Sequence, residues 1–130
     1  IALGKMLAGH VTRRTDAIAG AELGAVPLAA AAGMAAAKPI IFIRNQKKDY
    51  GTARQLEGVL KPGDVVMIVE DVLTTGGQVL EAAATLQSAG AIIERIVAVI
   101  DREEGARQNI EKAGIEFRSL FTTADLGIEK

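Results

Sequence analysis

Val65-Val-Met-Ile-Val-Glu-Asp-Val-Leu-Thr-Thr-Gly-Gly-Gln78 is the segment from which the fold class follows. From Val65 to Val69 it is apolar without a break, which is how a strand buried on both faces of a parallel sheet reads. Two acids follow, Glu70 and Asp71, then the hydroxyls of Thr74 and Thr75, then Gly76 and Gly77, then a helical pattern. The glycines allow backbone conformations closed to other residues, so successive N–H groups can point into one concavity. The following helix adds its unpaired N–H groups and the positive end of its dipole. Such a turn can hold a phosphate dianion without a lysine. Glu70 and Asp71 stand where a parallel strand ends, the place where open α/β sheets bind ligands, and carboxylates there accept hydrogen bonds from sugar hydroxyls or take Mg2+ through oxygen. A plainer reading is also open: Thr75 with Gln78 three residues on fits a capping box, with an acid near a helix start as ordinary dipole chemistry.

Composition excludes several classes. The 130 residues are long enough for one real core, and we expect a single domain over residues 1–130. Nearly half the residues are apolar yet only 3% are aromatic, so the core is built from Ala, Val, Ile and Leu. With no cysteine and one histidine, disulfides, thiolate metal sites and a His-based zinc site are not expected. A net charge of −1 gives no electrostatic case for nucleic acid. No apolar stretch reaches the roughly 20 residues of a membrane helix, and no signal peptide is visible, so a cytoplasmic protein is the expectation.

Outward from the central segment, the chain alternates. Leu3 to Val11 has helical spacing; Ala17 to Ala19 reads as a short buried strand; Gly20 to Pro27 (GAELGAVP) is a turn leading into an alanine-rich helix, Leu28 to Ala37. That turn is either a plain connection or, facing the same crevice, a backbone cradle for pyrophosphate. Pro39 to Ile43 is another strand. Arg44 to Leu60 lacks periodicity, and from Arg44 to Arg54 it carries four positive charges and one negative. It reads as a basic mobile lid for an anion or as a solvated surface hairpin. After the turn Lys61-Pro62-Gly63-Asp64 and the central strand come a helix, Gln78 to Ala89, with Gly90 beyond its end, and a strand within Ile92 to Ile100. Asp101-Arg102 again stands at a strand terminus. A helix from Glu104 to Ala113, a strand from Ile115 to Phe121 and a tail from Thr122 complete the chain. The expected fold is α/β, a mainly parallel sheet flanked by helices.

Val66 to Gln78 closely resembles the signature of type I phosphoribosyltransferases, the enzymes that use phosphoribosyl pyrophosphate (PRPP); it contains neither GxxxxGK[ST] nor GxGxxG. Gly20 to Pro27, Arg44 to Gly58 (RNQKKDYGTARQLEG) and Asp101-Arg102-Glu103-Glu104-Gly105 narrow the resemblance to the orotate branch. That branch converts orotate and PRPP, with Mg2+, to orotidine 5′-monophosphate and pyrophosphate.

The resemblance implies a role for each matching position. Glu70 and Asp71 would hold the ribose hydroxyls, directly or through the metal's water, with Mg2+ carried by PRPP and met by Asp71 through water. Thr74, Thr75, Gly76, Gly77 and Gln78 would hold the 5′-phosphate, Val72 and Leu73 would bind substrate beside them, and Thr74 and Arg102 would meet orotate. Arg44, Lys47, Lys48 and Tyr50 would contact substrate, with Arg44 and Lys48 at the pyrophosphate. Lys48, Glu70 and Asp71 are the implied catalytic set. The family's mobile loop reaches the neighbouring subunit, so a homodimer sharing the Arg44–Arg54 loop is implied. Asn45 stands where many relatives have a second loop lysine, and Tyr50 where many have histidine. The chain begins at Ile1 rather than Met, and the family's N-terminal segment that covers the base is expected to be missing here. A phosphoribosyltransferase for another base and a non-catalytic PRPP-binding regulator are the alternatives.

Overall fold

The computed structural model describes residues 2–22, 24–48 and 51–127, with backbone alone for 45–48 and 51–54. The elements are α1 (Ala2–Ala8), β1 (Ala17–Ala21), α2 (Ala25–Ala36), β2 (Ile40–Lys48), β3 (Gly51–Glu57), β4 (Val65–Leu73), α3 (Gly77–Ser88), β5 (Ile92–Asp101), α4 (Ala106–Lys112) and β6 (Glu116–Thr122). They build one sheet in the order β3-β2-β1-β4-β5-β6, parallel throughout except for the antiparallel pair β2–β3. The expected mainly parallel α/β architecture is the one found.

The central strand explains why helices cover both faces. Side chains alternate across a strand. Val66 and Ile68 belong to a core cluster with Val79, Ala83 and Leu86 of α3 and Ile110 of α4. Met67 and Val69 belong to the other cluster, with Leu7 of α1 and Ala29 and Ala32 of α2. The unbroken apolar run is therefore two half-strands of core interleaved. Small residues let the layers approach: Gly4 lies so close to α2 that an added Cβ would stand 2.9 Å from the Ala31 Cβ.

The segment Arg44 to Leu60 is corrected. Most of it is strand: β2 continues to Lys48 and pairs with β3 from Phe42↔Glu57 to Lys48↔Gly51. A hairpin describes its backbone and an irregular loop does not. Pairing of β2 with β1 ends at Ala21↔Ile43, so beyond Arg44 β2 pairs with β3 alone. Where no third strand continues the sheet, little imposes a period of two on the sequence, and the strand signal fades. Two helix starts also move. The second helix begins at Ala25, ahead of Pro27, and the fourth begins at Ala106 because Gly105 takes a left-handed conformation (φ 107°) before it.

One edge of the parallel strands is tied by a group of short polar contacts. Asp16 accepts the Val65 N–H on Oδ2 at 2.8 Å and donates its own N–H to the Val65 carbonyl at 2.7 Å. The Ile92 N–H reaches the Asp64 carbonyl at 2.8 Å. In β5 the register with β4 shifts between Val66 and Met67, and Glu94 at that irregularity accepts the hydroxyls of Thr12 and Thr15, each at 2.5 Å. Among the described residues no helix is long and apolar enough to cross a membrane.

Ile68 is fully buried at the middle of β4. Ile68→Ala leaves a cavity between sheet and helix and should lower the unfolding free energy by about 2–5 kcal/mol, read by chemical denaturation with an unchanged m-value.

Candidate active site

The site follows from where β4 loses one neighbour and keeps the other. Its pairing with β1 stops at Gly20↔Val69. On the other side β5 stays paired through Glu70↔Ala98, Val72↔Ile100 and Leu73↔Asp101. The chain leaves β1 toward β2 and leaves β4 toward β5, so strand order reverses between β1 and β4. A crevice opens beyond their carboxyl ends, as at other such switch points.

A cavity of about 260 Å3 occupies this crevice. It is lined by Glu22 and Gly24 from the β1–α2 turn and by every residue from Glu70 to Gln78. Thus Glu70, Asp71, Val72, Leu73, Thr74, Thr75, Gly76, Gly77 and Gln78 come together as the sequence implied. Gly76 has φ 85° and sits as the residue before α3, with no side chain capping the helix. The capping box between Thr75 and Gln78 does not form, which leaves the first N–H groups of α3 available to a ligand. The turn is steadied from α4, where Asn109 Nδ2 donates to the Thr75 carbonyl at 2.8 Å.

The acidic pair is braced by its own backbone. The Asp71 N–H donates to Glu70 Oε1 at 3.1 Å, and the Val72 N–H donates to Asp71 Oδ1 at 2.7 Å. Burial pushes the Glu70 carboxyl up to about 7, and a hydrogen bond shared with the Asp71 side chain adds to the rise. Among the described residues no three His, Cys, Asp or Glu side chains gather as a metal cage. Two adjacent carboxylates beside a phosphate cradle suit Mg2+, which keeps several waters and takes further oxygens from substrate phosphates.

Glu22 and Gly24 are anticipated only as part of the turn Gly20 to Pro27, in the reading that has it face the same crevice. Their signal was positional: the turn Gly20 to Pro27 stands at a neighbouring strand end. Gly24 is pressed against the acid. A Cβ there would overlap Asp71 Oδ2 and lie 2.9 Å from Asp71 Cγ. Of the four cationic residues implied by the sequence, the two with described side chains, Arg44 and Arg102, do not line this cavity. Arg44 pairs with Glu57 at 2.5 Å and with Glu22 at 3.7 Å, beside a second, more apolar cavity that shares Glu22. Arg102 Nε stands 3.4 Å from Glu104, while its backbone N–H donates to the Leu73 carbonyl at 2.9 Å. The side chains of Asn45, Lys47 and Lys48, and Tyr50 as a whole, lie outside the described residues.

The pattern of the phosphoribosyl transferase domain matches residues 3–117. The chain belongs to the phosphoribosyl transferase domain family. Its relatives within that family include orotate phosphoribosyltransferases. It is 50% identical over 111 residues to the orotate phosphoribosyltransferase of Pyrococcus abyssi, covering 85% of this chain and 61% of that protein. It is 43% identical over 124 residues to that of Methanocaldococcus jannaschii, covering 95% and 70%. The orotate phosphoribosyltransferase of Mycobacterium tuberculosis, solved in complex with PRPP, superposes with a TM-score of 0.77 at 32% identity, covering 98% of this chain and 73% of that one. The chain thus spans about 61% of the length of the Pyrococcus relative.

Two measurements follow from the geometry. A methyl on Gly24 would force the Asp71 carboxylate to turn away while the fold survives. Gly24→Ala should lower stability by about 1–3 kcal/mol in denaturant melts and cost little in an Asp71→Ala background, since the clash is then gone and residues in contact are not additive. Glu70 binds its proton more tightly folded than unfolded, so the native protein loses stability as pH rises from about 4.5 to about 7. Glu70→Gln should match the wild type near pH 4.5 and exceed it near pH 8 by about 1–3 kcal/mol in denaturant melts.

Proposed function

We propose that this chain is the core of an orotate phosphoribosyltransferase, moving the phosphoribosyl group of PRPP to orotate with release of pyrophosphate. The observation that carries this reading is the cavity at the β1–β4 switch point, which the acidic pair and the uncapped start of α3 line together. It offers donors to a phosphate and acceptors to a sugar within one small volume. The orotate specificity rests on the relatives' identity and on Arg102 at the adjoining strand end.

In this reading, Thr74 to Gln78 hold the 5′-phosphate through backbone N–H groups and hydroxyls. Glu70 and Asp71 accept the ribose hydroxyls and fix the ring. A carboxyl that is half protonated near neutrality also lessens the repulsion that two full carboxylates would exert on a phosphate dianion. Breaking the bond from ribose C1 to pyrophosphate builds positive charge on the sugar and negative charge on the leaving group, and a new bond forms from C1 to the orotate ring nitrogen. No nucleophilic side chain is required. Asp71, with Glu70, would hold Mg2+ through water, and that ion would supply charge stabilisation to the pyrophosphate. Arg44, Lys47 and Lys48 on the β2–β3 hairpin are the cations for the same oxygens, and Tyr50 lies between the two strands in sequence. Arg102 presents a planar fork suited to the carboxylate or carbonyl edge of orotate. The hairpin acts across a homodimer, with Lys48 entering the partner's site.

A spectrophotometric assay of orotate consumption with PRPP and Mg2+ tests the proposal. Turnover is expected from this core joined to the rest of a full-length orotate enzyme. Lys48→Ala should lower it by about 10²–10³ with the melting temperature unchanged. PRPP binding without orotate consumption would instead favour a regulator or another base.

A further inference from the structure

Beyond the described cavity, the structure holds one non-glycine residue in a left-handed conformation at a strand end that adjoins it. Glu103 has φ 60°. Such a conformation costs of order 1 kcal/mol or more for a residue with a Cβ and persists only where surrounding bonds over-determine it. Those bonds are present. The Glu103 N–H donates to Asp101 Oδ1 at 2.9 Å, and Asp101 is buried. Glu103 Oε1 accepts the Thr123 hydroxyl at 2.9 Å and the Ala124 N–H at 2.9 Å. Thr123 is buried as well, and its N–H donates to the Asp101 carbonyl at 3.1 Å.

Arg102 sits inside this knot. Its N–H is bound to the Leu73 carbonyl at 2.9 Å, and its own carbonyl lies 3.3 Å from the Thr123 hydroxyl. Both peptide groups flanking Arg102 are thereby fixed: one to the strand that carries the acidic pair, the other toward the turn after β6. A glycine at 103 would adopt the same backbone without strain, yet it would lose both bonds made by the carboxylate. The sequence has glutamate.

We propose that Glu103 is a positioning residue for Arg102: its carboxylate ties the turn after β6 to the end of β5 and so holds the guanidinium-bearing residue in register with Leu73 on the rim of the cavity. The proposal rests on the reading of Arg102 as the base-side arginine, and it has a physical readout that does not. Hydrogen exchange at the Arg102 amide reports the bond to Leu73 directly.

Two variants separate the carboxylate from the backbone. Glu103→Gly removes the strain and the two bonds; Glu103→Gln keeps an oxygen acceptor in place. In the full-length protein, Glu103→Gly should speed exchange of the Arg102 amide about tenfold or more, with the Val69 amide unchanged. Glu103→Gln should restore most of the protection. In the assay, Glu103→Gly should raise the KM for orotate by about tenfold and leave the KM for PRPP within about twofold, as loss of one substrate's contact predicts. Equal protection of Arg102 in Glu103→Gly and wild type would overturn the proposal. If the wild type consumed no orotate, the functional reading would fall, and the exchange result would still decide the role of Glu103.

Discussion

The structure depends on an asymmetry in the pairing of β4. On one side β1 releases it after Val69; on the other β5 holds it through Leu73. A strand held on one side only, with its apolar half already spent on two core clusters, has to present something else to the gap. Here it presents Glu70 and Asp71. The acids stay half-buried because α2 begins directly opposite, with Gly24 against Asp71. Burial in turn lifts the Glu70 carboxyl toward neutrality. Position, charge state and ligand class thus follow from where one row of backbone hydrogen bonds ends.

Much of this was legible in the sequence, and the reasons are local. Val65 to Val69 reads as a doubly buried strand from its unbroken apolar run, and Gly76 could be read as a turn residue because its conformation excludes most others. The phosphate half of the site is built from consecutive residues, so its chemistry is written in order. Elements whose structure comes from distant partners were harder to see. The β2–β3 hairpin carries no alternation past Ile43, because no third strand continues beside it. Gly24 reads as a turn glycine, and only the fold brings it against Asp71. Glu103 stands only as one residue of the segment Asp101 to Gly105, and its partners Thr123 and Ala124 lie far along the chain. The match of Thr75 and Gln78 to a capping box was a coincidence of residue types; Gly76 occupies the cap and leaves the helix start open.

The two halves of the cavity differ in how they make charge. The cradle at Thr74 to Gln78 uses fixed dipoles, whose effect does not change with pH. The acidic pair uses carboxyls, one of which titrates near neutrality. The cations implied for substrate sit elsewhere, on the hairpin for the leaving group and at Arg102 for the base, and those whose side chains are described are paired with glutamates. Arg44 is held by Glu57 and Glu22, Arg102 by Glu104. An incoming anion has to compete with these exposed pairs, which is a small cost because such pairs contribute little in water.

The polar ties at the amino ends of the strands, from Asp16 to Val65 and from Glu94 to Thr12 and Thr15, close the edge of the sheet opposite the cavity. The sheet is therefore sutured along one rim and open along the other. Substitutions at sites that are well separated and share no partners act almost independently. A lineage can then rewrite the open rim, exchanging one base-side residue for another, without unpicking the seam that keeps the strands aligned. Substrate preference and foldability become separately heritable traits of a single small domain.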